Sequence, residues 1–109
     1  MNNLEKTLEK IELASYSSLP ERMGQVIYLN GEEIVLFRLS NGQVRAIENR
    51  SPSPKGGTLA DGLVAGEYIY CPISDWKISL VDGSVESPGY GQVKIYNIEV
   101  IEDSVKLIL

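Results

Sequence analysis

Apolar residues along this chain fall in short runs of alternating or β-branched character, each closed within a few positions by glycine, proline or asparagine. Gln25-Val26-Ile27-Tyr28-Leu29 ends at Asn30-Gly31, Glu33 to Leu39 ends at Asn41-Gly42, and Val44-Arg45-Ala46-Ile47 follows. Asn-Gly pairs supply the positive φ angles that two-residue hairpin turns need, so these runs are expected to form an antiparallel meander. Helix is the competing reading for Glu32 to Leu39; the flanking Asn-Gly pairs and the short length count against it. Ile11 to Ala14 alternates briefly and predicts a first edge strand. Leu19-Pro20-Glu21 then marks a turn, because proline restrains the residue before it. Ahead of these, Leu4 and Leu8 with Glu5, Lys6, Glu9 and Lys10 have the spacing of one short helical turn.

Gly56-Gly57, Asp61-Gly62 and Gly66 punctuate the middle of the chain, where only Tyr68-Ile69-Tyr70 and Trp76-Lys77-Ile78-Ser79-Leu80 have strand character. Asp82-Gly83 is a further hairpin signal, and Ser87-Pro88-Gly89-Tyr90-Gly91 reads as a loop. At the end, Val93, Ile95, Ile98 and Val100 are expected to pair across Glu102-Asp103 with Val105, Leu107 and Leu109. Many short strands, frequent turns and no long helix predict an all-β fold, a sandwich or small barrel in one domain over residues 1–109. No internal repeat is visible.

Composition narrows the function. Fifteen acidic against ten basic residues leave a net charge of −5. Such a surface repels phosphate backbones, which argues against nucleic acid as a partner. No apolar run approaches the ~20 residues that span a bilayer, and the start, Met1-Asn2-Asn3-Leu4-Glu5-Lys6, lacks the apolar stretch of a secretory signal. The chain has a single cysteine, so no intrachain disulfide can form and a cytoplasmic location is expected. Histidine is absent altogether. The commonest metal ligand and the commonest general base are thereby missing together.

Catalytic options are correspondingly few, and no catalytic residue is assigned. A serine nucleophile would need a lysine or carboxylate as its base, and Ser51 to Lys55 is a weak pattern for one. Glu67, Asp75, Asp82 and Glu86 sit beside turns, where such side chains are usually solvated. Gly56-Gly57 is followed by Thr58 and no Lys-Ser/Thr pair, so it reads as a turn and not as a phosphate loop. Cys71 follows Tyr68-Ile69-Tyr70, the end of a buried strand, where cysteine behaves as a small apolar residue. A reactive thiol there would need a cation to lower its pKa, and Lys77 is the only nearby lysine in sequence.

The most organised stretch runs from Asn49 to Trp76. Ser51-Pro52-Ser53 and Cys71-Pro72-Ile73-Ser74 bracket residues 54–70, the layout of a two-loop metal clamp. Residues 49 to 83 resemble the cluster-binding region of Rieske iron–sulfur domains, which present Cys-x-His on one loop and Cys-x-x-His on the next. Pro54-Lys55-Gly56-Gly57-Thr58-Leu59 is similar to that family's Pro-x-x-Gly-Gly-x-Leu. Gly66-Glu67-Tyr68-Ile69-Tyr70-Cys71-Pro72-Ile73-Ser74-Asp75-Trp76-Lys77-Ile78, followed by Asp82-Gly83, fits the second loop and its hairpin. Within that family the chain resembles the small subunits of cytoplasmic NAD(P)H-dependent nitrite reductases, whose tail is similar to Gly91-Gln92-Val93-Lys94-Ile95-Tyr96-Asn97-Ile98-Glu99-Val100.

The resemblance implies a Rieske-like antiparallel β-sandwich carrying a small inserted subdomain, about residues 48–84. It places the four ligand positions on Ser51, Ser53, Cys71 and Ser74. A Rieske centre needs two thiolates and two imidazoles, whereas this set offers one thiol and three hydroxyls that hold their protons at neutral pH. The expectation is therefore no [2Fe–2S] cluster and no cofactor in this chain. The implied function is that of a non-catalytic accessory subunit supporting reduction of nitrite to ammonium. FAD, siroheme and a [4Fe–4S] cluster would belong to a large subunit, the implied partner. Pro52, Pro54, Pro72 and Pro88 restrict the loops, and Trp76 and Tyr90 are aromatic candidates for anchoring an interface. The same prolines and aromatics would equally serve to hold the fold. Two other classes stay open: a Rieske ferredoxin-like electron carrier, and a free-standing interaction or redox-sensing module using Cys71.

Overall fold

The computed structural model describes residues 9–109. Ten strands follow in order: β1 (Lys10–Ser15), β2 (Gln25–Leu29), β3 (Glu32–Arg38), β4 (Val44–Glu48), β5 (Leu63–Ala65), β6 (Tyr68–Tyr70), β7 (Lys77–Ser79), β8 (Ile95–Tyr96), β9 (Ile98–Ile101) and β10 (Ser104–Ile108). A single 3₁₀ turn, Tyr16–Ser18, is the helical content of the described residues. Strands pair antiparallel into three sheets ordered β1-β10-β9, β2-β3-β4-β8 and β5-β6-β7. The all-β expectation is met. The expected helical turn near Leu4 and Leu8 falls mostly outside the described residues, and Lys10 already belongs to β1.

Local chemistry explains the meander. At the β2–β3 turn both Asn30 (φ 52°) and Gly31 (φ 80°) are left-handed, as a two-residue hairpin requires. The second Asn-Gly pair works differently. Only Gly42 is left-handed (φ 91°), Gly42 N–H donates to Leu39 O, and Leu39 N–H donates to Gln43 O, so this is a three-residue loop over 40–42. The tail also departs from expectation. Ile98 and Val100 do pair with Leu107 and Val105, but the run breaks at Asn97. Ile95 crosses to pair with Ile47 of β4, and Val93 is buried in a different core.

The four-stranded sheet is the middle layer, and alternation along its strands sends side chains to two separate cores. Ile34, Leu36, Val44 and Ala46 face the β1-β10-β9 sheet and bury with Leu19, Val105 and Leu107. Val35, Phe37, Leu39 and Ile47 face the opposite way and bury with Leu59, Val64, Ile69, Ile78, Leu80 and Val93. That second set comes mainly from the excursion between β4 and β8, which carries the β5-β6-β7 sheet. Burial on both faces is why Ile34 to Phe37 reads as an unbroken apolar run. The excursion thus stands on the middle sheet and brings its loops against one another.

Candidate functional site

Three loops converge: residues 49–62 after β4, residues 71–76 between β6 and β7, and residues 86–92 before β8. The first is fastened to the middle sheet by Asn49, which is buried to 9% exposure. Its Oδ1 accepts the N–H groups of Leu59 (2.9 Å) and Ala60 (2.8 Å), and its Nδ2 donates to Glu33 Oε1 at 3.0 Å. Its own backbone N–H donates to Glu33 O. Asn49 was not among the sequence-derived candidates, although it opens the stretch that drew attention.

The four clamp positions divide between two loops, and Ser51 and Cys71 meet across them. Ser51 and Ser53 are 5% and 6% exposed, and Cys71, at the end of β6, is 1% exposed. Ser51 Oγ lies 3.3 Å from Cys71 Sγ, a direct side-chain contact across the loops. Each serine also closes a turn of its own loop. Ser53 N–H donates to Ser51 Oγ (3.2 Å), Lys55 N–H to Ser53 Oγ (3.1 Å), and Trp76 N–H to Ser74 Oγ (3.4 Å). These are side-chain turns in which the hydroxyl of residue i receives the amide of i+2. Backbone bonds complete the loops: Ser51 N–H to Gly57 O, Gly56 N–H to Ser53 O, Cys71 N–H to Trp76 O and Asp75 N–H to Cys71 O, all at 2.9 Å.

The fit to a [2Fe–2S] centre fails on chemistry. Three of the four positions carry hydroxyls already engaged with backbone amides, the fourth is one thiol, and the whole sequence holds no imidazole. Among the described residues, no group of three or more His, Cys, Asp and Glu side chains is placed to hold a metal ion. Lys77, the cation nearest Cys71 in sequence, sits 4.3 Å above the Tyr68 ring and 3.6 Å from Glu86. Burial acts to lower its pKa, but the Glu86 carboxylate and the Tyr70 and Tyr68 phenols together outweigh it and raise the pKa above the ordinary lysine value. Glu67 and Asp82 also have local roles: Glu67 meets Arg45 and Asn41, and Asp82 accepts both donors of Ser84.

The proline and aromatic candidates sort by depth. Trp76 is half-buried against the core of the excursion, and its indole leaves no room for a side chain at Gly89, where a Cβ would stand 2.6 Å from Cδ2. Tyr90 stacks beside it, ring centroids 5.5 Å apart and tilted by 49°, yet is 70% exposed. Pro72 is exposed, and Pro52 is half-buried near Gly91. Ile73, which sequence reasoning passed over, is 57% exposed and reaches over Gly57 (φ 99°), where a Cβ would come within 2.9 Å of its Cδ1. An open groove of ≈ 450 Å³ lined by Asp61, Leu63, Tyr70, Cys71, Pro72 and Asp75 runs alongside. The tip therefore exposes Pro72, Ile73 and Tyr90 beside the Asp61 and Asp75 carboxylates, above a hydrogen-bonded base. Among the described residues, no helix is long and apolar enough to cross a membrane.

Comparison with known proteins bears on this geometry. The family profile of the Rieske-like [2Fe–2S] domain matches residues 10–108. A cholesterol 7-desaturase of Ciona intestinalis is 34% identical over 74 residues, 65% of this chain. The chain spans only 16% of that relative's length. Among solved structures, a protein assigned as an NADH-dependent nitrite reductase small subunit from Mycobacterium tuberculosis superimposes with a TM-score of 0.83 and 24% identity, covering 94% of this chain and 96% of that one. The Sphingomonas yanoikuyae B1 ferredoxin superimposes with a TM-score of 0.79 and 19% identity, covering 93% and 99%. These two likenesses establish the shared fold.

Proposed function

From the premise that the chain belongs to the Rieske-like [2Fe–2S] domain family, we propose that it is a non-catalytic accessory subunit of a cytoplasmic NAD(P)H-dependent nitrite reductase. It would hold or place the large subunit that carries the FAD, siroheme and [4Fe–4S] centres and reduces nitrite to ammonium. One observation carries this reading. The fold of the family is kept while the positions that the resemblance assigns as ligands are Ser51, Ser53, Cys71 and Ser74, a set that cannot supply two thiolates and two imidazoles. A frame kept without its donors fits binding better than electron transfer. Likeness in fold to several chains named as nitrite reductase small subunits supports the choice of partner.

The docking face in this reading is the loop tip, with Pro52, Pro72 and Tyr90 at its surface and Trp76 beneath as the support that fixes Tyr90. Restricted prolines lower the ordering entropy lost on association, and an exposed aromatic over a rigid base is the usual form of an interface anchor. Ile73 extends the same surface. Co-purification from the native cell tests the proposal: a siroheme-containing large subunit should come down with the tagged chain. A chain isolated with about two irons and visible charge-transfer absorption would instead make it a ferredoxin-like electron carrier.

A further inference from the structure

The clamp positions are more than vacated ligand sites. Ser51 Oγ already accepts the Ser53 amide, which leaves its own proton in a buried place where an unpaired hydroxyl is costly, with Cys71 Sγ in reach at 3.3 Å. The contact joins residues 20 positions apart, one from each loop. It is the side-chain hydrogen bond that spans the two clamp loops among the described residues. Ser53 and Ser74 meanwhile bond the amides of Lys55 and Trp76, turning each loop back on itself. In a metal clamp those same four positions would be joined through the metal.

We infer that Ser51 and Cys71 form a metal-free latch, a hydroxyl–thiol hydrogen bond that ties the two loops directly. Ser53 and Ser74 act as turn closers that keep each loop in shape. The latch makes the order of the tip independent of any metal ion. It also assigns Cys71 a structural task that oxidation or alkylation would undo. This inference stands apart from the choice of partner, since it concerns the loops of the purified chain alone.

Amide hydrogen exchange on the full purified chain tests it, with wild type compared against Ser51→Ala, Cys71→Ala and Cys71→Ser, each with and without EDTA. Loop amides of Ser53, Cys71 and Asp75 should exchange at the same rate with and without the chelator. Ser51→Ala and Cys71→Ala should accelerate the Cys71 and Asp75 amides by about three- to tenfold, the range expected for one lost hydrogen bond, while Val105 and Leu107 in β10 keep their protection. Cys71→Ser retains a hydroxyl partner for Ser51 and should restore most of the protection. Should Ser51→Ala or Cys71→Ala unfold the domain outright, the comparison of Cys71→Ser with wild type still decides. Loop amides that lose protection on chelation, or that exchange alike in Cys71→Ser and Cys71→Ala, would overturn the latch.

Discussion

Replacing Asn49 by alanine removes the acceptor of two amides at once. Leu59 N–H is fully buried and would be left without a partner; Ala60 N–H is half-buried and could recruit water. An unsatisfied buried donor costs about 1–3 kcal/mol, and a partly hydrated one less, so the pair should cost about 2–4 kcal/mol. The Glu33 carboxylate also loses a donor at 3.0 Å, a small term because it lies at the surface and can turn to solvent. For a domain of this size each kcal/mol shifts Tm by roughly 4 °C, which puts Asn49→Ala about 10 °C below the parent. Urea unfolding followed by circular dichroism measures the loss directly, and an unchanged m-value would show that the native fold is intact. Asn49→Asp separates the parts: it keeps an acceptor for Leu59 and Ala60 while placing a second carboxylate against Glu33. It should fall between parent and Asn49→Ala. An Asn49→Ala protein within about 1 kcal/mol of the parent would refute the reasoning, and the loop would have to be fastened by packing alone.

Further outcomes follow from the same geometry. Ser51→Cys sets a second thiol against Cys71, where the present contact is 3.3 Å; mild oxidation should remove both free thiols and stabilise the domain by about 3 kcal/mol, read by thiol titration and thermal melts. Gly89→Ala forces a methyl into the Trp76 indole and should cost about 1–3 kcal/mol with a change in the emission of the sole tryptophan. Tyr90→Ala should leave the melting temperature within ~2 °C while abolishing capture of the proposed large subunit, whereas Trp76→Ala should unfold the isolated domain; equal effects of both on stability would mean the tip is structural. Tyr96 is held protonated by burial, by its 2.8 Å bond to Glu32 and by the Glu32 and Glu48 charges, which push its pKa up to about 12. The unfolded phenol titrates near ~10, so this stabilisation is complete below that pH and is lost as pH rises toward about 12. Phenolate absorbance should show one late tyrosine that disappears in Tyr96→Phe, and in that variant the Glu32 pKa, lowered by Tyr96 and then Lys94, should move back up by NMR titration.

What could be read from the chain was what is local. β2, β3, β4 and β6 announced themselves through β-branched or aromatic residues bounded by turn pairs, and the Asn30-Gly31 hairpin followed from φ alone. β5 did not, because Leu63-Val64-Ala65 is three residues between glycines and becomes a strand only by pairing with Tyr68–Tyr70. The break in the tail had a signal: apolar positions run odd through Val93 and Ile95 and even through Ile98 and Val100, and that phase change marks the point where the chain leaves one sheet for another. At the site, resemblance pointed to Ser51, Ser53, Cys71 and Ser74, and the tendency of a serine hydroxyl to accept the amide two residues on could have suggested the turns the serines close. Asn49 was out of reach, since its partners at Glu33, Leu59 and Ala60 are joined only by folding. Ile73 was passed over for a different reason: exposure of an apolar residue cannot be read from its type.

β3 also governs how the molecule responds as a whole. Its residues alternate between two cores, with Ile34 and Leu36 on one side and Val35 and Phe37 on the other. Lifting the excursion away would expose Val35 and Phe37 on the shared wall, and displacing the opposite sheet would expose Ile34 and Leu36. Neither half can open without taxing the other, so unfolding should pass through a single cooperative transition. By the same coupling, any partner that grips the loop tip would raise the stability of the β1-β10-β9 strands on the other face of the middle sheet, by an amount set by its concentration and affinity.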